Sequence, residues 1–322
     1  MRQVAVADVG GTHARFALAE IEGGRVVSLG EPVTLKTADH ASFQLAWQDF
    51  GRQAGVDLPH ELAIAFAGPV GGEVLKLTNN PWVIRPYLMK ERLGVDRFTI
   101  VNDFGAVAHA VATLGEEHFQ HVCGPDQALP VEGIISVVGP GTGLGVAALL
   151  RKRDHYEVIE TEGGHVDFAP LEALEDRILK QLRRHFRRVS VERVASGQGL
   201  WNLYEALGAI EKRDLIFHDD KELWPAALEG SDGLAAAALD RLCLSLGAVA
   251  GDMALAQGAS AVVIGGGVGL RLADYLPRSG FRDRFIAKGR FERRMDDMPV
   301  KLITHPQPGL IGAAAAFARE YP

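Results

Sequence analysis

Cysteine is almost missing from this 322-residue chain, which carries only Cys123 and Cys243. Two cysteines so far apart make neither a metal-ligand spacing nor a disulfide framework, and in a reducing compartment both read as free thiols. An excess of basic charge is missing too. The 34 Lys and Arg against 41 Asp and Glu leave a net charge of −7, which favours solubility and gives no footprint for nucleic acid or an anionic membrane. The one basic run, Lys180-Gln181-Leu182-Arg183-Arg184-His185-Phe186-Arg187-Arg188, reads as the solvated face of a helix. No stretch reaches the roughly 18 apolar residues of a spanning helix. Asp8 breaks the N-terminal apolar run too early for a signal peptide, so the expected location is cytoplasmic. There is no H-E-x-x-H, no G-x-S-x-G elbow and no cysteine in a nucleophile context, which leaves metallopeptidase and hydrolase chemistry without support.

Glycine is plentiful, and its placement is informative. Three clusters follow strand-forming runs: Asp8-Val9-Gly10-Gly11-Thr12, Gly139-Pro140-Gly141-Thr142-Gly143-Leu144-Gly145 and Gly265-Gly266-Gly267-Val268-Gly269. Backbone without a Cβ can approach a polyanion and aim N–H groups at it. One such cluster is usually a tight turn; three, two of them with Gly-Thr at corresponding places, point to a nucleotide cradle assembled from distant segments. After Thr12 and Thr142 the chain continues as strand. A dinucleotide fingerprint or Walker A loop would open a helix there, and none of the clusters matches G-x-G-x-x-G. Superposing the Gly-Thr pairs aligns Val4-Ala5-Val6-Ala7 with Ile134-Ile135-Ser136-Val137, the signature of a diverged duplication whose halves each begin with a β-hairpin.

In this order along the chain, Ala7-Asp8-Val9-Gly10-Gly11-Thr12, Ile100-Val101-Asn102-Asp103-Phe104, Gly139 to Gly145, Glu162-Gly163-Gly164-His165 and Gly265-Gly266-Gly267 resemble the actin, sugar-kinase and Hsp70-type ATPase superfamily. Within it they are most similar to the bacterial glucokinases of the hexokinase type. The related ROK group commonly carries a cysteine-rich zinc motif, and the lack of a cysteine cluster favours the zinc-free branch. The resemblance implies an α/β, duplicated ribonuclease-H-like (actin-like ATPase) fold, two domains flanking a cleft. It also implies ATP and Mg²⁺ as cofactors, glucose as substrate and a homodimer.

Asp103 follows the apolar run Phe98 to Val101 and opens a helical stretch, so it stands where α/β sheets present ligand-binding groups. A carboxylate there can equally be a helix N-cap. The resemblance makes Asp103 the general base and, with Asn102, a sugar ligand. It assigns Glu162, His165 and Glu192 to the sugar hydroxyls as well. In isolation, Glu162-Gly163-Gly164-His165 reads as a surface turn, and Glu192 beside Arg193 as a solvated pair or cap. Ala7, Asp8, Val9, Gly10, Gly11 and Thr12 with Gly141, Thr142 and Gly143 are expected around the phosphates, and Gly265, Gly266 and Gly267 against adenine. Asp8 is the candidate for Mg²⁺, held through water. Asn79-Asn80-Pro81-Trp82 reads equally as a cleft segment or as a turn with an anchoring aromatic.

Strands are expected near 3–8, 13–21, 61–67, 97–101, 134–139, 144–150 and 260–265. Leu239, Leu242, Leu246, Val249 and Met253 mark a helix over 234–257. A final helix should begin near Pro308 and, by resemblance, fold back on the N-terminal domain. The expected domains are 1–108 plus 304–322, and 109–303, with sugar and nucleotide resting on different ones. Three rival readings stay open: a non-catalytic sugar-sensing regulator, a hexose kinase of broader specificity, and an ATPase that moves a partner protein. Regulators usually carry a DNA-binding extension, whereas here the first strand starts at residue 3.

Overall fold

The computed structural model describes residues 1–77 and 80–322, and the chain divides into two compact units: Met1–Leu114 with His305–Pro322, and Gly115–Thr304. The expected break at 108 falls inside the helix Asp103–Thr113, which stays whole in the first unit.

In the first unit the main sheet contains β1 (Arg2–Val9), β2 (His13–Glu22), β3 (Arg25–Leu29), β4 (Val33–Lys36), β5 (Glu61–Phe66) and β8 (Arg97–Asn102), while β6 (Leu75–Lys76) and β7 (Val83–Ile84) pair separately. Its order is β3-β2-β1-β5-β8, with β4 also on β2. β1 and β2 form an antiparallel hairpin, and β1, β5 and β8 run parallel. The helices are α1 (Phe43–Ala54), α2 (Met89–Leu93), α3 (Asp103–Thr113) and, from the chain end, α11 (Pro308–Glu320). Val4 and Val6 of β1 pack with Leu310, Ala313 and Phe317 of α11. Ala5, Ala7 and Val9 share the opposite core with Phe16, Phe43, Trp47 and Phe50. Because both faces are covered, the strand reads as an unbroken apolar run. The alanines of α11 let it lie close to α3, and at Gly312 any Cβ would run into the Ala106 carbonyl.

The second unit repeats the plan with β9 (Phe119–Cys123), β10 (Gly133–Pro140), β11 (Leu144–Arg151), β12 (Tyr156–Thr161), β13 (Ala261–Ile264) and β14 (Val300–Ile303), in the order β12-β11-β10-β13-β14-β9. In each sheet an antiparallel hairpin is extended by two parallel strands: β5 and β8 in the first, β13 and β14 in the second. The duplication read from the Gly-Thr pairs is therefore a duplication of topology. Its helices are α4 (Ala173–Leu182), α5 (Gly197–Glu211), α6 (Asp220–Glu229), α7 (Gly233–Gln257), α8 (Gly266–Arg271), α9 (Phe281–Ile286) and α10 (Glu292–Asp296).

The Asp232 side chain caps α7, accepting from the Ala235 N–H at 2.8 Å, and Gly258 ends it. By length and composition α7 is apolar enough to cross a membrane, contrary to the expectation that no stretch would be; 61% of its most apolar window is nonetheless buried within the protein. Leu239, Leu242, Leu246 and Val249 enter the core, while Gly247 and Gly251 admit the backbone of α9. It is a core helix. The basic run is solvated but is not one helix face, because α4 stops at Leu182 and residues 183–188 lie in turns and bends. Cys123 and Cys243 are free and buried, and burial pushes both thiols up to about 12.

Candidate active site

In the first unit the register aligns Val9 with Phe66 and Phe66 with Asn102, so the carboxyl ends of β1, β5 and β8 form one edge. Asp8 is level with Ala65 and, across β5, with Val101, and Asp103 follows Val101 by two residues at the start of α3. The Gly10 N–H donates to the His13 carbonyl at 3.0 Å and closes the β1–β2 turn. Directly opposite Asp8 in the hairpin is Arg15, whose Nη1 donates to Asp8 Oδ2 at 3.2 Å. Burial pushes the Asp8 carboxyl up and the Arg15 charge pulls it back, with a net rise. Gly309, in the first turn of α11, lies against the Asp8 carboxylate. Ala7 and Val9 belong to β1, and their side chains have no exposed surface.

Asn102, not Asp103, is the N-cap of α3. Its Oδ1 accepts from the Phe104 N–H at 2.9 Å and the Gly105 N–H at 3.2 Å, and its Nδ2 donates to the Gly68 carbonyl at 3.2 Å. Asp103 is the first helical residue, and its Oδ1 accepts from the Phe104 N–H at 2.8 Å. Both side chains are half-buried.

The second unit gathers its candidates around one residue, Leu144, at the start of β11. The turn Gly141-Thr142-Gly143 is closed by the Gly141 N–H donating to the Gly143 carbonyl at 2.9 Å. The Leu144 N–H donates to Glu192 Oε2 at 3.0 Å. Gly164 packs on the Leu144 carbonyl, where a Cβ would collide, which explains the second glycine of Glu162-Gly163-Gly164-His165. The Val191 N–H donates to the Val166 carbonyl at 2.8 Å and joins the segments carrying Glu192 and His165. Glu162 and His165 are exposed, whereas Glu192 is half-buried and is not paired with Arg193, whose guanidinium lies over Phe186 at 4.4 Å. Gly266, at φ +76° and against the Pro140 carbonyl, could not carry a side chain. Gly265 donates its N–H to the Val138 carbonyl at 2.9 Å, so the triple-glycine turn sits beside the end of β10.

The expected site residues are distributed over the two units as follows. Asn102 and Asp103 lie in the first unit, Glu162, His165 and Glu192 in the second; Asp8 to Thr12 lie in the first, Gly141 to Gly143 and Gly265 to Gly267 in the second. Asn79 is outside the described residues; Asn80 donates from Nδ2 to the Gly11 carbonyl at 3.2 Å. Sequence reasoning missed Arg15, Thr37 and Gly197. Arg15 could have been found from hairpin register, which sets it across from Asp8. Gly197, at the start of α5, donates its N–H to the Gly141 carbonyl at 2.7 Å, and only the capping Ser196 before it hinted at a helix start.

The family model described as Glucokinase matches residues 5–320. This chain belongs to the glucokinase family. It is 64% identical over 319 residues to the glucokinase of Zymomonas mobilis subsp. mobilis, across 99% of this chain and 98% of that relative. It also matches a crystal structure of glucokinase from an Antarctic psychrotroph, with a TM-score of 0.84, 33% identity and coverage of 98% of this chain and 99% of that one. A ROK family glucokinase from Streptomyces griseus, solved in complex with glucose and AMPPNP, shares the fold at a TM-score of 0.65 and 21% identity, covering 99% and 100% of the two chains. The duplicated ribonuclease-H-like architecture of the actin-like ATPases is thus the fold of this glucokinase family member, and its activity is phosphorylation of glucose.

Proposed function

We propose that this chain transfers the γ-phosphoryl group of ATP to the 6-hydroxyl of D-glucose, with Asp103 as general base. The observation that carries the assignment is the division of labour at the end of β8. Asn102 satisfies the first amides of α3, so the helix does not depend on Asp103 for its cap. Asp103 opens that helix at the end of β8, where an α/β sheet presents ligand-binding groups, on the strand-end edge that also carries Asp8. A primary hydroxyl is a weak nucleophile, and a carboxylate within hydrogen-bond reach orients it and accepts its proton as the new O–P bond forms.

The remaining residues bind and orient. Asn102, Glu162, His165 and Glu192 read the sugar hydroxyls. The turns Gly10–Thr12 and Gly141–Gly143 offer hydroxyls and N–H groups to the phosphates, and Gly265–Gly267 lies against adenine. Asp8 suits magnesium by its donor chemistry, since Mg²⁺ takes one or two hard carboxylate oxygens and completes its shell with water and phosphate oxygens. When bound, the ion neutralises charge on the β- and γ-phosphates. A cytoplasmic location and a homodimer complete the reading, the first from the composition and the second from the family resemblance.

Asp103→Asn tests it. The amide keeps size and hydrogen-bonding reach but cannot take the proton, so glucose still binds while kcat falls about 10²–10⁴-fold. A folded Asp103→Asn protein turning over at near wild-type kcat would contradict the assignment.

A further inference from the structure

Thr37 stands outside every motif of the sequence, in the 3-10 turn Thr37–Asp39 that follows β4, and it is 1% exposed. Its Oγ1 donates to the Gly11 carbonyl at 2.7 Å, and its backbone N–H donates to the Thr12 carbonyl at 3.0 Å. One residue thus holds both consecutive carbonyls of the first Gly-Thr turn. Among the described residues no peptide bond is cis, so each N–H points opposite to the carbonyl of its own planar unit. With the Gly11 and Thr12 carbonyls drawn toward Thr37, the N–H groups of Thr12 and His13 turn to the other side.

A second brace meets the first. Asn80 Nδ2 donates to the same Gly11 carbonyl at 3.2 Å, while its Oδ1 accepts from the Trp82 N–H at 2.8 Å. The Trp82 indole Nε1–H donates to the His40 carbonyl at 2.7 Å, just beyond the turn that carries Thr37. The two braces are tied together through a tryptophan that is 1% exposed.

We infer that Thr37 is a positioning residue for phosphoryl transfer, aiming the amides of the Gly11–Thr12 turn at the nucleotide phosphates. The inference rests on the reading of that turn as a phosphate cradle. Thr37 touches no substrate and acts through the turn. Donors aimed at developing charge work best when their direction is set before the substrate arrives. A buried β-branched side chain, stiff at χ1, keeps its hydroxyl in one place.

Steady-state kinetics of the full chain provide the test, with ATP and glucose varied separately. Thr37→Val keeps the shape and removes the donor. It is expected to lower kcat/KM for ATP about 5–20-fold while KM for glucose stays within about twofold. Thr37→Ser restores the hydroxyl and should recover most of the loss. Asn80→Asp, which keeps the acceptor for Trp82 and loses the donor to Gly11, should shift the same parameter in the same direction and stands in if Thr37→Val does not fold. Thr12→Ala reports on the cradle itself. If Thr12→Ala weakens the use of ATP and Thr37→Val matches wild type, the positioning role is overturned and the cradle stands. If neither variant changes it, the positioning role is overturned together with the Thr12 hydroxyl as a phosphate donor. Equal losses toward ATP and glucose without rescue by Ser would mark general damage and also overturn the inference.

Discussion

Asn102 and Asp103 are neighbours that differ by one amide, and both accept from the Phe104 N–H, yet Asn102 is the cap of α3 and Asp103 its first residue. The sequence could not assign them, because Asn and Asp cap helices about equally well and either could have been the cap. What decides is the third contact of Asn102, its Nδ2 on the Gly68 carbonyl, which comes from a loop 34 positions away and is invisible locally. His40 is another residue whose role is set by its partners. Its Nδ1 donates to the Lys36 carbonyl at 3.1 Å and its Nε2 to Asp49 Oδ2 at 3.0 Å, so both ring nitrogens face acceptors. Asp49 is further held by Arg52 and Gln53, and Asp39 is also near the ring. The bond to Asp49, then that to Lys36, raises the His40 pKa against the opposing effect of burial. A histidine raised in the folded state contributes stability that is present in full below its unfolded value of about 6.5 and is lost as pH climbs through the folded value. The melting-temperature advantage of the wild type over His40→Gln should therefore shrink as pH climbs from about 6 toward 8. Parallel slopes for the two proteins would show that His40 is not the group responsible.

Among the elements, the strands on both sides of each Gly-Thr turn were legible, because their apolar runs are bounded by glycine and are buried on both faces. The shorter β3, β4, β9, β12 and β14 were not; their residues alternate or mix polar groups, and their pairing depends on partners distant in the chain. The length of α7 was readable from its leucine spacing, but the role of Gly247 and Gly251 as the crossing point for α9 was not, since close approach leaves no periodic trace. The same kind of contact joins α11 to α3. Gly312→Ala would place a methyl on the Ala106 carbonyl, and overpacking of this type costs about 1–3 kcal/mol. Because α3 begins at Asp103, the shift should lower kcat as well as the denaturation midpoint. Full stability and full activity in Gly312→Ala would show that the two helices are free to part.

At the scale of the molecule, the duplicated topology was legible from two Gly-Thr pairs and their flanking strands. The grouping of the site residues was not. The sequence order carried no measure of which segments meet at Leu144 in the second unit or at the edge of β1, β5 and β8 in the first. Turnover by a glucokinase should need both substrates, which separates a sugar kinase from an ATPase that moves a partner protein. The most direct measurement is the initial rate of ADP release by the purified chain with ATP and magnesium, in the presence and absence of glucose. Rapid release that depends on glucose is the predicted result; ADP release at the same rate without any sugar would contradict it.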